Sequence, residues 1–286
     1  MSNLPPLPPV PPKSVGTESV DVVRIGAEKM RDEQVFQHKN ASLAVVAGIV
    51  GATGGIGASS LTVSLAKRAA ELGFNAIVVD LQVARPIDFL CGAESEEGLR
   101  WQDLNNVEGE IDAMALKDRL VVKNGISILT NQFDSPEPAR QVSVVSVIKA
   151  LRFVADFIFV DLPKEYLAVS SSEVAKLLDN LIILTARNLE GVVAASALRN
   201  LQSVGEKNKK QIKLVTLYDK KNAGNMSLTK TKTYIGDYFT LDLEYDAKIK
   251  KQLSEVTTQF GKKTKYRKCI DTILNEVSRN GLAEHN

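Results

Sequence analysis

The most constraining feature of the sequence is a glycine-rich segment placed between a predicted strand and a predicted helix. The apolar run LAVVAGIVGA (43–52) predicts a buried strand, and SLTVSLAKRAAELG (60–73) predicts an amphipathic helix that ends at Gly73. Between them, TGGIGAS supplies glycines that let successive backbone N–H groups point at an anion in front of the helix N-terminus. The segment therefore predicts a phosphate-binding loop, with glycines needed only for a tight turn as the alternative.

The rest of the chain repeats the alternation of strand and helix. Further buried strands are predicted at NAIVVDL (75–81), GISILT (125–130), DFIFVDLP (156–163), LIILTA (181–186) and IKLVTLY (212–218). Helices are predicted at 142–153 and 189–205. This order is typical of parallel sheets built from βαβ units. We expect an α/β fold with a doubly wound, mostly parallel sheet and helices on both faces.

The ends of the chain have a different character. Residues 1–40 open with the proline-rich MSNLPPLPPVPP and show little periodicity, so we predict a disordered arm, followed by one domain at 41–280 and a flexible tail at 281–286. No apolar stretch is long enough to span a bilayer, and the N-terminus lacks the pattern of a secretory signal, so a cytoplasmic protein is expected. Cys91 and Cys269 match no metal or redox spacing and are predicted to be free thiols.

The predicted phosphate loop departs from the usual pattern G-x-x-x-x-G-K-[ST], in which lysine contacts the β/γ-phosphates and the hydroxyl contacts Mg²⁺. Ala58 occupies the lysine position and Ser59 the hydroxyl position. The predicted nucleotide-binding residues are Gly54, Gly55, Ile56, Gly57, Ala58, Ser59 and Ser60.

Two aspartates end predicted strands at the edge of the sheet where ligands bind in open α/β folds. These are Asp80 and Asp161. With Ser59 they form a predicted Mg²⁺ site, and Asp161 is also the candidate catalytic carboxylate. ATP and Mg²⁺ are the predicted cofactors.

At this point the residues carry a family resemblance. TGGIGASS (53–60), VVDLQ (78–82) and FIFVDLP (157–163) resemble the three signature segments of the MinD/ParA group of deviant phosphate-loop ATPases, whose loop reads KGGxGKTT. GGIGASS together with DFLCGAESEEGLRWQDL (88–104) is similar to the CpaE/TadZ branch, which takes part in Flp (tight adherence) pilus assembly and includes actinobacterial septum-site-determining-like proteins. The resemblance covers roughly 42–260 and implies a homodimer formed through the nucleotide face.

The chain also departs from that family. Thr53 and Ala58 stand where the family has lysines, and Gln82 stands where MinD-like members have a carboxylate implicated in hydrolysis. A charge-assisted hydrogen bond is worth about 1.5–3 kcal/mol, so the missing lysine at Ala58 should weaken ATP binding roughly ten- to a hundred-fold. Hydrolysis should suffer more, because phosphoryl transfer depends on positioned cations. Arg85 and Lys164 are either substitute cations or ordinary surface residues.

Three functions follow from the resemblance and its departures. The first is a MinD-like localisation or scaffold protein for Flp pilus or secretion machinery, a degenerate ATPase with little or no turnover. The second is an active septum-site-determining MinD-type ATPase, and the third a ParA-type DNA partition protein. The expected partners are pilus, secretion or division proteins, with peripheral contact to the inner face of the membrane, at a pole or septum, left open.

Two C-terminal features bear on membrane and DNA binding. Residues 207–268 hold sixteen Lys and Arg against six acids, which predicts either a surface for anionic lipid or DNA or simply solvated faces. In YRKCIDTILNEVSR (266–279), apolar residues recur at helical spacing, which predicts a docked final helix, with an interfacial membrane anchor as the alternative.

Overall fold

The computed structural model describes residues 43–83, 87–132, 134, 136–168, 172–203, 211–218, 224–235, 240–246, 248–249 and 264–283. The predicted arm at 1–40, Arg85 and parts of the basic region 207–268 lie outside these residues. Within the described part of the chain, eight strands form one sheet. The strands are β1 (Val45–Gly51), β2 (Ala76–Asp80), β3 (Val121–Lys123), β4 (Ile126–Leu129), β5 (Phe157–Asp161), β6 (Asn180–Ala186), β7 (Gln211–Tyr218) and β8 (Thr240–Glu244).

The sheet is doubly wound around β1. Its strand order is β3-β4-β2-β5-β1-β6-β7-β8, and all neighbours pair in parallel except β3 and β4. The chain passes from β5 on one side of β1 to β6 on the other, so the loop after β1 lies at the point where the winding changes direction. Ligands of open α/β sheets bind at this point. The predicted α/β fold class is confirmed.

Helices cover both faces of the sheet. They are α1 (Ala58–Glu71), α2 (Asp88–Cys91), α3 (Trp101–Leu104), α4 (Ala113–Asp118), α5 (Gln141–Leu151), α6 (Glu165–Ala168), α7 (Glu173–Lys176), α8 (Leu189–Ser203), α9 (Leu228–Ile235) and α10 (Lys265–Ala283). One core layer includes Val147 of α5 and Val192 of α8, and the other includes Leu65 of α1 and Ile273 of α10. Because both faces are covered, the central strands are continuous apolar runs.

Two edge strands escape the sequence prediction. β3 pairs antiparallel with β4 across Asn124 (φ 52°) and Gly125 (φ 78°), so the strict alternation of strand and helix does not hold here. Asn-Gly is a strong hairpin signal, but the strand before it has only three residues. β8 alternates apolar residues with Asp242 and Glu244, so it lacks the continuous apolar run that identifies the buried strands.

The C-terminal helix α10 docks onto the domain. Its apolar residues Tyr266, Ile270, Ile273, Leu274 and Val277 are all buried, and the helix packs against α1 and β8. This arrangement confirms the prediction of a docked final helix. The helix continues to Ala283, beyond the predicted domain end at 280.

Polar contacts reinforce the packing of α10 on α1. The Tyr266 hydroxyl lies 2.8 Å from Ser64 Oγ, and Arg68 Nε lies 2.5 Å from Asp271 Oδ1.

Among the described helices, none is both long enough and apolar enough to cross a bilayer. Cys91 and Cys269 are free thiols, as predicted.

Candidate nucleotide site

The loop between β1 and α1 has the backbone of an anion-binding turn. Gly55 (φ 72°) and Gly57 (φ 101°) lie in the left-handed region, which glycine enters at little cost. A Cβ placed on Gly54, Gly55 or Gly57 would meet nothing within 4 Å, so the space around the loop is open. Ala52 N donates to Leu184 O at 2.8 Å and anchors the start of the loop to β6. An open, anchored cradle therefore precedes the N-terminus of α1.

The remaining predicted loop residues begin α1 or line its approach. Ala58, Ser59 and Ser60 form the first turn of the helix, and all three are half-buried. The Ser59 side chain is close enough to the Asp161 carboxylate to lower its pKa, against the larger effect of burial. Thr53 is also half-buried. Because Thr53 and Ala58 are uncharged, neither position that carries a lysine in the resembled family supplies a cation here.

The sheet brings the two predicted aspartates together. Asp80 and Asp161 end adjacent strands, are register partners and are fully buried. Burial raises the pKa of Asp161 to about 6. Burial, followed by the negative charge of Asp161, raises the pKa of Asp80 well above its usual value. Two neighbouring carboxyl groups therefore share a site that disfavours negative charge in the absence of a cation.

Both carboxylate oxygens of Asp80 are bound by the protein. Oδ1 accepts a hydrogen bond from Gln82 N at 2.9 Å. Oδ2 accepts from Ile87 N at 2.8 Å and from Thr130 Oγ1 at 2.7 Å. These contacts fix the end of β2 and the segment that follows it.

Asp161 is held much less completely. Its Oδ1 lies 3.4 Å from Gln82 Nε2, and its Oδ2 is buried without a hydrogen-bond partner among the described residues. A buried polar atom without a partner is costly unless water or an ion completes its contacts. Mg²⁺ takes hard oxygen ligands, and the Ser59 hydroxyl lies beside this carboxylate. The donors at this point suit Mg²⁺.

Trp101 holds the backbone of Asp80, a role that the sequence did not predict. The fully buried indole donates from Nε1 to Asp80 O at 2.6 Å, and Trp101 N donates to Thr130 O at 3.1 Å. In the sequence, the segment GLRW indicates only a family resemblance. Its structural role depends on a contact between distant parts of the sequence, which the local pattern does not reveal.

A network of side-chain and backbone amide groups leads outward from the site. Gln82 Nε2 approaches Asp161, and Gln82 O accepts a hydrogen bond from Asn131 Nδ2 at 3.0 Å. Asn131 Oδ1 in turn lies 3.4 Å from Gln102 Nε2 on α3. The position that carries a carboxylate in MinD-like proteins thus belongs to a neutral polar network.

A cavity of about 170 Å³ adjoins the loop. It is lined by Ile56, Ala186, Arg187, Asn188, Leu217, Asn225 and Tyr245. Arg187 is fixed by Asp242, with Nη1 2.7 Å from Oδ2, and its guanidinium carbon lies 5.0 Å from the centre of the Tyr218 ring. The sequence did not predict this cavity, because its residues come from separate segments that meet only at the carboxyl ends of the strands.

Of the two suggested substitute cations, the structure describes one. Lys164 is exposed in the turn after β5. Arg85 lies outside the described residues.

Comparison with known sequences gives limited matches. No protein-family model matches the sequence. The uncharacterized protein Rv3660c of Mycobacterium tuberculosis, and its counterpart MT3760 in another strain, are 37% identical over 105 residues, which is 36% of this chain and 27% of theirs. The match thus spans about a quarter of the length of these curated relatives.

Comparison with solved structures defines the fold. A ParA family ATPase from Chlorobium tepidum has a TM-score of 0.65 and 19% identity, covering 80% of this chain and 98% of that one. MinD from Pyrococcus horikoshii with Mg-ADP gives 0.66 and 15%, covering 83% and 97%. A chain of the MinC:MinD cell division protein complex from Aquifex aeolicus gives a TM-score of 0.63 and 15% identity, covering 82% of this chain and 96% of that one. The chain has the fold of the MinD/ParA phosphate-loop ATPases.

Proposed function

We propose that this chain is a MinD/ParA-type localisation or scaffold protein that binds Mg²⁺-ATP weakly and hydrolyses it poorly. The observation that carries the proposal is the open Oδ2 of Asp161, which lies beside a glycine loop without cationic side chains. The MinD of P. horikoshii with this fold was solved with Mg-ADP, which supports a magnesium nucleotide as the ligand of this chain.

Each group of residues would have a separate role in nucleotide binding. The backbone N–H groups of 54–60 would bind the phosphates, and Ser59 and Asp161 would hold Mg²⁺. The metal would neutralise charge on the phosphate oxygens. Asp80 was also predicted to hold the metal, but its oxygens are engaged, so we propose that it positions the end of β2. The adjoining cavity would take the base, with Arg187 and Tyr245 at its wall.

The uncharged residues around the phosphates favour a scaffold over an ATPase. Thr53, Ala58 and Gln82 supply no charge where the resembled family has two lysines and a carboxylate. The segments GGIGASS and GLRW support placing the protein in the CpaE/TadZ branch. In this proposal it is a cytoplasmic homodimer that recruits Flp pilus or secretion machinery. The alternatives are an active septum-site-determining MinD-type ATPase and a ParA-type DNA partition protein.

The three functions differ in what the purified protein does with ATP and DNA. The scaffold proposal expects binding of a fluorescent ATP analogue without phosphate release above that of Asp161→Ala. Phosphate release that Asp161→Ala abolishes would support the ATPase instead. Sequence-independent DNA binding that falls steeply with salt would support the partition protein.

A further inference from the structure

Arg187 is a fixed cation in the wall of the cavity beside the glycine loop. Its Nη1 donates to Asp242 Oδ2 at 2.7 Å, and its Nε donates to Met226 O at 2.9 Å. The guanidinium group also lies over the Tyr218 ring. These three contacts hold the planar group in one orientation, so it loses little rotamer freedom when a ligand binds.

The guanidinium group keeps hydrogen-bond donors for a ligand. The contacts to Asp242 and Met226 use Nη1 and Nε, and Nη2 has no hydrogen-bond acceptor among the described residues. The Arg187 side chain is 15% exposed and lines the cavity, so it is open to a small molecule bound there. A ligand in the cavity therefore meets positively charged N–H donors, which favour acceptor atoms opposite them.

The next residue, Asn188, also offers the cavity a donor. Its Oδ1 accepts a hydrogen bond from Gly191 N at 2.8 Å, at the start of α8. The side-chain oxygen is thus committed to the helix, while the Nδ2 group belongs to a residue that lines the cavity. Asparagine recognises adenine by using its side-chain oxygen and nitrogen together, so Asn188 is poorly placed for that pair.

We infer that the cavity prefers guanine to adenine and that Arg187 determines the preference. Guanine presents two neighbouring acceptors, O6 and N7, which match the donor fork of an arginine. Adenine presents a donor at N6 beside N7, so an arginine N–H group that faces N6 is left without an acceptor. Ile56 and Leu217 supply apolar contacts in the same cavity. The inference rests on the proposed nucleotide binding and adds the identity of the base.

Two other roles for the cavity residues give different results. If Arg187 contacts the phosphates, its loss weakens the binding of ATP and GTP equally, because the two nucleotides share the triphosphate. Asn225 also lines the cavity, and its side-chain amide is of the type that pairs with adenine. If Asn225 determines the base, ATP binds more tightly than GTP.

The test is isothermal titration of the full-length protein with Mg²⁺-GTP, Mg²⁺-ATP and Mg²⁺-ITP, the inosine nucleotide. Inosine keeps the O6 and N7 acceptors of guanine but lacks its 2-amino group. We expect GTP to bind at least about tenfold more tightly than ATP, and ITP to bind within about threefold of GTP. In Arg187→Gln the preference for GTP over ATP should fall to about twofold or less.

Two further variants separate base recognition from folding and from surface charge. Arg187→Lys keeps a positive charge beside Asp242 but lacks the planar fork, so it should fold and still lose the preference for GTP. Arg140 is an exposed arginine just before α5, paired with Glu108, and Arg140→Gln should keep the wild-type preference. Thermal unfolding of each variant establishes that it is folded.

The outcomes also distinguish this inference from the proposed function. Binding of ATP as tight as that of GTP, or tighter, overturns the base preference and leaves nucleotide binding intact. ITP that binds as weakly as ATP, or Arg187→Lys that weakens ATP and GTP to the same extent, also overturns the role of Arg187. If wild type binds none of the three nucleotides, both the inference and the proposed nucleotide binding fail.

Discussion

The ends of β2 and β5 carry the same residue in the same register, yet the protein treats the two carboxylates differently. Asp80 at the end of β2 accepts three hydrogen bonds, from Gln82 N, Ile87 N and Thr130 Oγ1. Asp161 at the end of β5 has one long contact to Gln82, the Ser59 side chain close by, and a buried oxygen without a partner among the described residues. Both side chains are fully buried, so burial does not explain the difference.

This contrast separates a structural carboxylate from one that is available to a ligand. Polar groups that stabilise a fold have their hydrogen bonds satisfied, whereas a buried group left unsatisfied marks a place where something else binds or where the fold is destabilised. Asp80 fixes the segment after β2, together with Trp101 on its carbonyl oxygen. Asp161 leaves an oxygen free beside the glycine loop.

The largest effect should come from removing the satisfied carboxylate. Asp80→Ala leaves the N–H groups of Gln82 and Ile87 and the Thr130 hydroxyl without their acceptor. Each of the three buried donors left unsatisfied costs about 1–3 kcal/mol, and removal of a carboxylate whose charge burial disfavours offsets part of that sum, so we expect the free energy of unfolding to fall by about 3–5 kcal/mol. Urea unfolding measures this change. A loss as small as that of an ordinary surface substitution would remove the distinction between the two aspartates.

Substitution of Asp161 should change the free energy of unfolding in the opposite direction. Asp161→Asn removes a buried negative charge that burial disfavours, so the free energy of unfolding of the nucleotide-free protein should rise by about 1–3 kcal/mol at pH 8. Urea unfolding of Asp161→Asn and of Asp80→Ala under the same conditions provides the comparison. Destabilisation of similar size at both positions would mean that Asp161 is also a structural residue.

The charge of the Asp161 carboxylate also predicts that the free energy of unfolding depends on pH. The Asp161 carboxyl titrates near 3.8 when unfolded and near 6 when folded. Between these values the folded state keeps a proton that the unfolded state has released, so this group's contribution to stability falls as the pH rises from about 4 to about 6 and is level above. Nucleotide-free wild type should show this fall and Asp161→Asn a shallower one. Parallel pH profiles of the two proteins would contradict the assignment.

A lysine at position 58 should strengthen the binding of ATP to the glycine loop. Ala58→Lys adds a side chain that can reach the β/γ-phosphates, and we expect ATP affinity to rise roughly ten- to a hundred-fold. Ala58→Gln is the matched control, since it has comparable length without the charge. Fluorescence of a labelled ATP analogue measures both. Equal affinities in the two variants would show that phosphates do not approach the first turn of α1.

The smallest effect concerns the indole hydrogen bond. Trp101→Phe keeps most of the buried ring but removes the donor to Asp80 O. The expected loss in the free energy of unfolding is about 1–2 kcal/mol. A loss near that of a large-to-small core substitution would indicate that the packing of the indole, and not its N–H group, dominates.

The sequence predicted the central part of the molecule well. Its six predicted strands all form, because strands covered on both faces are continuous apolar runs, and it placed Asp80 and Asp161 at one edge of the sheet. The edge strands β3 and β8 were missed because one is very short and the other carries acids. No local pattern showed that Thr130 and Trp101 satisfy Asp80 while Asp161 Oδ2 lacks a partner among the described residues. That difference depends on contacts between distant segments, as does the cavity around Arg187.

The most direct test of the account is isothermal titration of wild type and Asp161→Asn with ATP, in the presence and absence of Mg²⁺. The account predicts that wild type binds Mg²⁺-ATP with micromolar to submillimolar affinity, about −8 to −5 kcal/mol. Removing Mg²⁺ or substituting Asp161 should weaken that binding by at least about tenfold, the effect of losing about 1.4 kcal/mol. Absence of binding in wild type, or equal affinity in Asp161→Asn, would contradict the claim that the open oxygen of Asp161 forms a magnesium and nucleotide site.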